Sequence, residues 1–283
     1  MNFLEKLESE HAAVDLENDL IIPWNTYLSE AKWGWYLLSS EVDQLKEDSK
    51  VLEIGAGPQM LSAQVASTGV ELTSIEPASQ GFSTMESLGE IVRNFSSNEQ
   101  ISYEFFNTTG ENFFRKNEFD YAFSINVMEH VNEIDVVLTN VLNSLKPDGR
   151  YHFVCPNYSF PYEPHFNSIT FVNKRLTDAL FRKRLVRKSK HHDPTGLWNS
   201  LNWINHRSVV NWAKTQVDSE LMFSRRALKL YVARAVEDTT FQARHPLLSK
   251  LTRVLKPVVF AGLAITPIRF LPILDVTIVK RIN

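Results

Sequence analysis

A short apolar run, Val51-Leu52-Glu53-Ile54, breaks into Gly55-Ala56-Gly57-Pro58-Gln59-Met60. Gly55 and Gly57 let the backbone turn tightly and approach a ligand closely. The residues after them predict a helix whose first N–H groups face that turn. A lone G-x-G is also a common structural turn, and a second acid gives this one its weight. Glu76 stands 21 residues beyond Gly55, at the end of the next apolar run. At that distance a carboxylate meets the ribose hydroxyls of an adenosine ligand. Met60 takes the third-glycine place of a dinucleotide fingerprint, which argues against a pyrophosphate packed over the helix. Glu53 argues the same way, because a carboxylate there suits an amino group and positive charge. The ligand indicated is a cationic adenosine compound, a description that S-adenosylmethionine fits.

Substitution at a sulfonium methyl is an in-line displacement, accelerated mainly by holding the nucleophile on the S–CH₃ axis. A hydroxyl nucleophile also benefits from a proton acceptor with a pKa near neutrality, usually His or a carboxylate. Two histidines are candidates. His130, beside Glu129, follows the apolar run FDYAFSI, and His165 lies in CPNYSFPYEPHF, a loop stiffened by Pro156, Pro161 and Pro164. Each also has a structural reading: Glu129-His130 as a cap or loop hydrogen bond, His165 as a member of a rigid loop. His191-His192-Asp193 has no second ligand pair at metal spacing and reads as a surface pair, so no metal site is expected. Cys155, the single cysteine, reads as a small core residue.

Placing these residues requires strands that end just before them. The pattern predicts strands at 50–57, 70–75, 101–106, 119–125 and 150–155, helices at 61–66, 81–94 and 134–145, and a turn at Lys146-Pro147-Asp148-Gly149. Such alternation predicts an α/β fold, a doubly wound and mostly parallel sheet covered on both faces. Ligands of such sheets bind beyond the carboxyl ends of the strands, where strand order reverses. An aromatic segment, 24–38, predicts a helix that is either core or a lid, with Tyr27 or Trp35 against the cofactor. Later come a helix at 206–215, an antiparallel edge pair at 220–223 and 273–278, and an apolar helix pair at 247–270.

The motifs together resemble the class I S-adenosylmethionine-dependent methyltransferases, and within them the subgroup that includes the ubiquinone-biosynthesis C-methyltransferases. VLEIGAGPQM resembles the family's first motif, Glu76-Pro77 its strand-two acid, and Gly110-Glu111-Asn112-Phe113 its adenine-binding loop. FDYAFSINVMEHV is similar to the fourth-strand signature and LKPDGRYHF to the turn into strand five, so five motifs stand in order over 51–155. The resemblance implies a seven-stranded Rossmann-like methyltransferase fold. It implies Glu53, Gly55 and Gly57 at the methionine end of the cofactor, Glu76 at the ribose, Gly110 and Glu111 at the adenine, and Asn126 beside the sulfonium. Gln59 departs from the pattern, standing where the family usually has glycine. A tighter or differently bonded methionine pocket is therefore expected.

Composition bounds the partners. The 283 residues carry 30 basic and 33 acidic side chains, net −3. Residues 1–164 hold 9 basic and 26 acidic, net −17, and residues 165–283 hold 21 basic and 7 acidic, net +14. One cysteine cannot make an internal disulfide. Met1 to Glu10 is acidic where a secretory leader would be basic, and 254–279, the most apolar stretch, is cut by Lys256, Arg269, Asp275 and three prolines. A cytoplasmic protein is expected, possible membrane contact being peripheral and on the inner face. Residues 174–190 hold eight basic residues and one acid, with Leu176, Ala179, Leu180 and Val186 as a partial apolar face. Such a helix suits an anionic membrane, an anionic substrate or plain solvent; nucleic acid is not expected. GLWNSLNWI, 196–204, has the aromatic and amide composition of a sugar platform, and equally of a packed loop.

The expectation is one methyltransferase domain: helical cap 1–49, cofactor core 50–156, basic acceptor-site insertion 157–205 after strand five, and C-terminal strands and apolar helices 206–283. PNYSFPYEPHF and GLWNSLNWI are similar to segments of methyltransferases from bacterial cell-surface polysaccharide clusters. That implies O-methylation of a small-molecule, glycan or lipid-linked acceptor. A quinone or other membrane lipid is the alternative acceptor, and a non-catalytic cofactor-binding remnant is the alternative to an enzyme.

Overall fold

The computed structural model describes the chain except residues 12–15, 17, 78–82, 172, 190–192, 238–241, 243–260, 263 and 282–283. Helices α1 (Phe3–His11) and α2 (Asn18–Val42) come first. Strands β1 (Lys50–Ile54), β2 (Glu71–Ile75), β3 (Glu104–Phe106), β4 (Phe119–Ile125) and β5 (Leu145–Pro156) then alternate with helices α3 (Met60–Ala66), α4 (Ser83–Asn98) and α5 (Ile134–Ser144). A hairpin of β6 (Tyr162–Glu163) and β7 (Ser168–Ile169) precedes α6 (Lys174–Lys188), α7 (Pro194–Ser200), α8 (His206–Ala213), β8 (Ser219–Phe223), α9 (Arg226–Glu237) and β9 (Ile273–Lys280).

Seven strands form one sheet of order β3-β2-β1-β4-β5-β9-β8. Strands β1, β2, β3 and β4 pair in parallel, while β9 runs antiparallel to both β5 and β8. This is the doubly wound, mostly parallel sheet the sequence predicts, with its order reversing at β1 and β4. Val51, Leu52, Ile54, Ala122 and Phe123 are buried, as expected of strands covered on both faces.

The chain groups into two compact units, Met1–Phe123 with Asn143–Gly149, and Ser124–Leu142 with Arg150–Asn283. In the first, α1 and α2 pack on α3, and the Leu4 N–H donates to Gln64 Oε1 at 3.1 Å. Predicted β3 begins three residues late, at Glu104. The predicted turn Lys146-Pro147-Asp148-Gly149 lies inside β5. The strand bends there through Asp148, whose φ is 62°. Gly149 is required at the bend, because a Cβ would lie 2.8 Å from the Lys146 carbonyl oxygen and 3.0 Å from that of Phe119.

In the second unit, β9 buries Leu274, Val276 and Ile278 around an ionisable pair. Asp275 Oδ1 lies 3.0 Å from His152 Nε2, and its Oδ2 accepts the Ala227 N–H at 2.7 Å. Cys155 is buried, as expected. Helix α6 carries part of its expected apolar face outward: Leu176 and Leu180 are exposed, with exposed Lys183, Arg184 and Arg187. Its inner side holds buried Thr177 and half-buried Phe181, the latter stacked on Phe171 at 5.8 Å. The apolar helix pair expected at 247–270 and the pair His191-His192 lie outside, or largely outside, the described residues. Among the described residues, no helix is long and apolar enough to cross a membrane.

Candidate functional site

In the first unit, the loop after β1 is tied to the end of β2. Gly55 and Ala56 N–H both donate to the Ile75 carbonyl, at 2.9 and 3.0 Å, and Gly57 N–H donates to Glu76 Oε2 at 3.0 Å. Gly55 and Gly57 have φ of 81° and 50°, conformations that favour glycine. A Cβ at Gly57 would meet nothing within 4 Å, so the loop opens onto free space.

Gln59 shares the left-handed backbone, with φ of 63°, and precedes α3. The loop thus keeps a glycine-like shape without the glycine. Tyr103 donates to Gln59 Oε1 at 3.2 Å, which anchors the buried side chain inside the protein.

Glu53 is 3% exposed and accepts a hydrogen bond from the Ser62 hydroxyl. Burial pushes its carboxyl up to about 8, against the Ser62 hydrogen bond, with Glu76 adding to the rise. Glu76 is also raised by burial, partly offset by the Gly57 N–H. Tyr27, on α2, is half-buried, and burial followed by the charges of Glu76 and Glu30 raises its phenol to about 12. Gly110 is buried and Glu111 half-buried in a turn where Asn112 and Phe113 N–H donate to the Thr109 carbonyl. Phe113 packs on Phe106 and Phe119 at 6.0 and 6.4 Å, fixing that turn.

In the second unit, β4 runs out into Asn126, whose φ is 57° and whose N–H donates to the Val154 carbonyl at 2.8 Å. Glu129 and His130 follow. His130 and His165, 35 positions apart in the chain, meet edge to face with ring centroids 5.2 Å apart. Glu129 is fully buried, neither carboxylate oxygen has a hydrogen-bond partner, and Oε1 lies 3.9 Å from His130 Nε2. The cap reading of Glu129 is therefore overturned, since a capping carboxylate accepts backbone N–H groups. Burial raises Glu129 to about 7, against the pull of His165. Burial and neighbouring His165 hold His130 below its ordinary value.

Each imidazole is held through Nδ1. His165 Nδ1 lies 2.6 Å from Glu163 Oε1. Glu163 also accepts the Tyr158 hydroxyl at 3.2 Å and the Phe166 N–H at 2.6 Å. Burial alone would raise Glu163, but the charge and hydrogen bond of His165 and backbone N–H groups bring it below the ordinary carboxylate value. His130 Nδ1 lies 2.9 Å from Ser200 Oγ. The loop beneath is clamped by Asn202, whose side-chain amide donates to the Met128 and Val131 carbonyls, both at 2.7 Å.

GLWNSLNWI is thus a brace, and its tryptophans are interior. Trp198 is 1% exposed and donates from Nε1 to Asp178, and Trp203 stacks on Tyr158 at 5.0 Å. Neither presents a face on which a sugar could stack. Glu163, Ser200 and Asn202 escaped the sequence reading. The spacing Glu163-Pro164-His165 was a usable signal for the first, but nothing local marks the other two.

A family described as a methyltransferase domain matches residues 31–233. Two proteins of Mycobacterium tuberculosis, from strains CDC 1551 / Oshkosh and H37Rv and both described as uncharacterized, are 36% identical over 255 residues, 89% of this chain and 86% of theirs. Among solved structures, phosphoethanolamine N-methyltransferase 2 of Haemonchus contortus, with phosphomonomethylethanolamine and S-adenosylhomocysteine, aligns at TM-score 0.51 and 15% identity. That alignment covers 92% of this chain and 53% of the other, so the chain spans about half its length. A geranyl diphosphate methyltransferase with its diphosphate and sinefungin aligns at TM-score 0.53 and 10% identity, over 90% of this chain and 80% of that one. The plantazolicin methyltransferase with S-adenosylhomocysteine gives 0.51 and 11%, over 99% and 98%. At such identities the likeness is one of fold.

Proposed function

This chain belongs to the methyltransferase-domain family, and on that footing we propose that it O-methylates a glycan or lipid-linked glycan of the cell surface. It is a class I methyltransferase, and S-adenosylmethionine is the methyl donor. The donor supplies an electrophilic methyl group on a sulfonium, and the chain's residues bind, orient and manage the acceptor's proton.

The carrying observation is the buried Glu53 carboxyl near the end of β1, raised to about 8 chiefly by burial, an environment in which a cation beside it would favour the ionised form. A ligand ammonium group supplies that cation. Glu76, with Gly57 N–H already on one oxygen, suits ribose hydroxyls, and Tyr27 closes over them. The open space at Gly57 fits the methionine portion, and the turn at Gly110 and Glu111 fits the adenine. Asn126, with its strained φ at the end of β4, is assigned to the sulfonium. The remnant alternative depends on Gln59 having spoiled the first loop; the retained left-handed conformation speaks against it.

His130 and His165 receive the acceptor proton. With the donor bound, the acceptor oxygen would take its methyl group in exchange for the hydroxyl proton, which the histidine pair would receive. The Glu163–His165 hydrogen bond supports this role, because a paired imidazole is oriented for proton transfer.

The outward face of α6, with Leu176 and Leu180 beside Lys183, Arg184 and Arg187, supports an acceptor carried on an anionic surface, reached peripherally from the cytoplasmic side. The same face favours the second reading, a quinone or other membrane lipid, towards which the likeness to ubiquinone-biosynthesis enzymes points. Mass spectrometry of surface glycans and lipids from cells with and without the protein separates the two. The glycan reading expects a methyl group lost from a sugar; loss from a quinone or lipid alone would replace it.

A further inference from the structure

The acid–histidine cluster of the second unit has a chemistry beyond proton transfer. A fully buried carboxylate with both oxygens lacking a donor, as in Glu129, is uncommon and costly. The single hydroxyl proton of Ser200 goes to the Leu197 carbonyl at 2.8 Å, so His130 must donate from Nδ1 to Ser200. His165 likewise donates from Nδ1 to the Glu163 carboxylate. A cation binds an imidazole in its neutral form, whose lone pair would then lie on Nε2, and displaces any proton carried there. One ligating atom from each of Glu129, His130 and His165 lies within 4.8 Å of those of the other two. Three metal-ligating side chains thus converge on a buried carboxylate whose oxygens lack a hydrogen-bond partner.

We propose that Glu129, His130 and His165 bind a divalent first-row transition cation of the zinc type. Two imidazoles and one carboxylate are a donor set of such ions, whereas Mg²⁺ and Ca²⁺ prefer oxygen alone. Bonds of about 2.0–2.2 Å in tetrahedral geometry set ligand atoms about 3.4 Å apart, so binding requires each atom to close by about an ångström or less. Glu163 and Ser200 are the outer partners that fix ring orientation in histidine metal sites. Three protein ligands leave a coordination position open, where an acceptor hydroxyl is polarised and its pKa lowered. With the cation bound, Nε2 of His130 and His165 is occupied and the acceptor proton leaves to solvent; this would replace the proton transfer proposed above for the metal-free pair. That last role rests on the methyltransferase reading; the cation site does not.

The test uses the whole chain, stripped with a chelator and then titrated with Zn²⁺ and with Co²⁺. Bound zinc is read by elemental analysis and cobalt by its visible absorption. One cation per chain is expected, with affinity falling at least about tenfold in Glu129→Gln and His165→Ala, and about 10–100-fold in Glu163→Gln. S-adenosylhomocysteine binding, measured on the same samples, should be unchanged. Uptake that survives the combined Glu129→Gln, His130→Ala and His165→Ala change places the cation elsewhere and overturns the proposal. No uptake by a protein that still binds S-adenosylhomocysteine also overturns it, and leaves the methyltransferase reading standing. Site-dependent uptake without S-adenosylhomocysteine binding supports the cation site and removes the methyltransferase reading.

Discussion

His130 donates its Nδ1 proton to Ser200 Oγ at 2.9 Å, because the serine's own proton is committed to the Leu197 carbonyl. The bond fixes one tautomer and turns Nε2 towards Glu129. In ¹⁵N spectra of the histidine side chains at neutral pH, His130 should appear as the Nδ1–H form. Ser200→Ala should give a mixture of tautomers and Ser200→Thr should restore the single form. An Nε2–H form in the unmodified protein would contradict the assignment.

Binding of the cofactor should be linked to a proton. Burial holds Glu53 at about 8 in the free protein, so at pH 7 its carboxyl is mostly protonated. A ligand ammonium favours the ionised form, so binding should release nearly one proton at pH 7 and progressively less as pH rises above about 8. Calorimetry of S-adenosylhomocysteine binding in buffers of different ionisation enthalpy reads this number. Glu53→Gln should abolish it, and an equal release in the variant would assign the proton elsewhere.

Gln59 tests whether the first loop is damaged or only rebuilt. A left-handed conformation costs a non-glycine residue about 1–2 kcal/mol, while the Tyr103 hydrogen bond returns about 1 kcal/mol. Gln59→Gly should therefore change stability by no more than about 1 kcal/mol and leave S-adenosylhomocysteine affinity unchanged. Denaturant midpoints and calorimetry check both. A large gain in affinity would show that Gln59 obstructs the site.

The legible part of the molecule was the part encoded locally. Gly55, Gly57 and Glu76 announce themselves because a turn after a strand and an acid at the next strand end are short-range features. The seven strands followed from apolar runs and their spacing. The His130–Ser200 bond joins residues 70 apart, and no local pattern specifies such a pairing. Trp198 and Trp203 misled for a different reason: a tryptophan beside amides has the same composition whether it faces a ligand or the core. Lys146-Pro147-Asp148-Gly149 has turn chemistry, yet the β5 span runs through it, so the signal became a left-handed residue, Asp148, inside a strand.

Asp275 anchors the antiparallel end of the sheet. It is 4% exposed and accepts from Ala227, and it is paired with His152. Burial would raise its carboxyl, but hydrogen bonds from His152 and Ala227 hold it below its ordinary value. Its contribution is therefore complete at neutral pH and is lost as pH falls through the lowered folded value. Asp275→Ala should cost about 3–5 kcal/mol at pH 7, as expected for breaking a buried pair, and less in strong acid. Chemical denaturation at the two pH values reads the difference; an equal cost at both would assign the effect to packing alone.

The most direct test of the cofactor assignment is calorimetric titration of the whole chain with S-adenosylhomocysteine, alongside Glu76→Ala. Loss of a charge-assisted hydrogen bond of about 1.5–3 kcal/mol corresponds to about 10–100-fold in affinity. Saturable binding that weakens by that factor in the variant is the predicted result. No heat of binding in the unmodified protein at millimolar ligand, or equal affinity in both proteins, would contradict it.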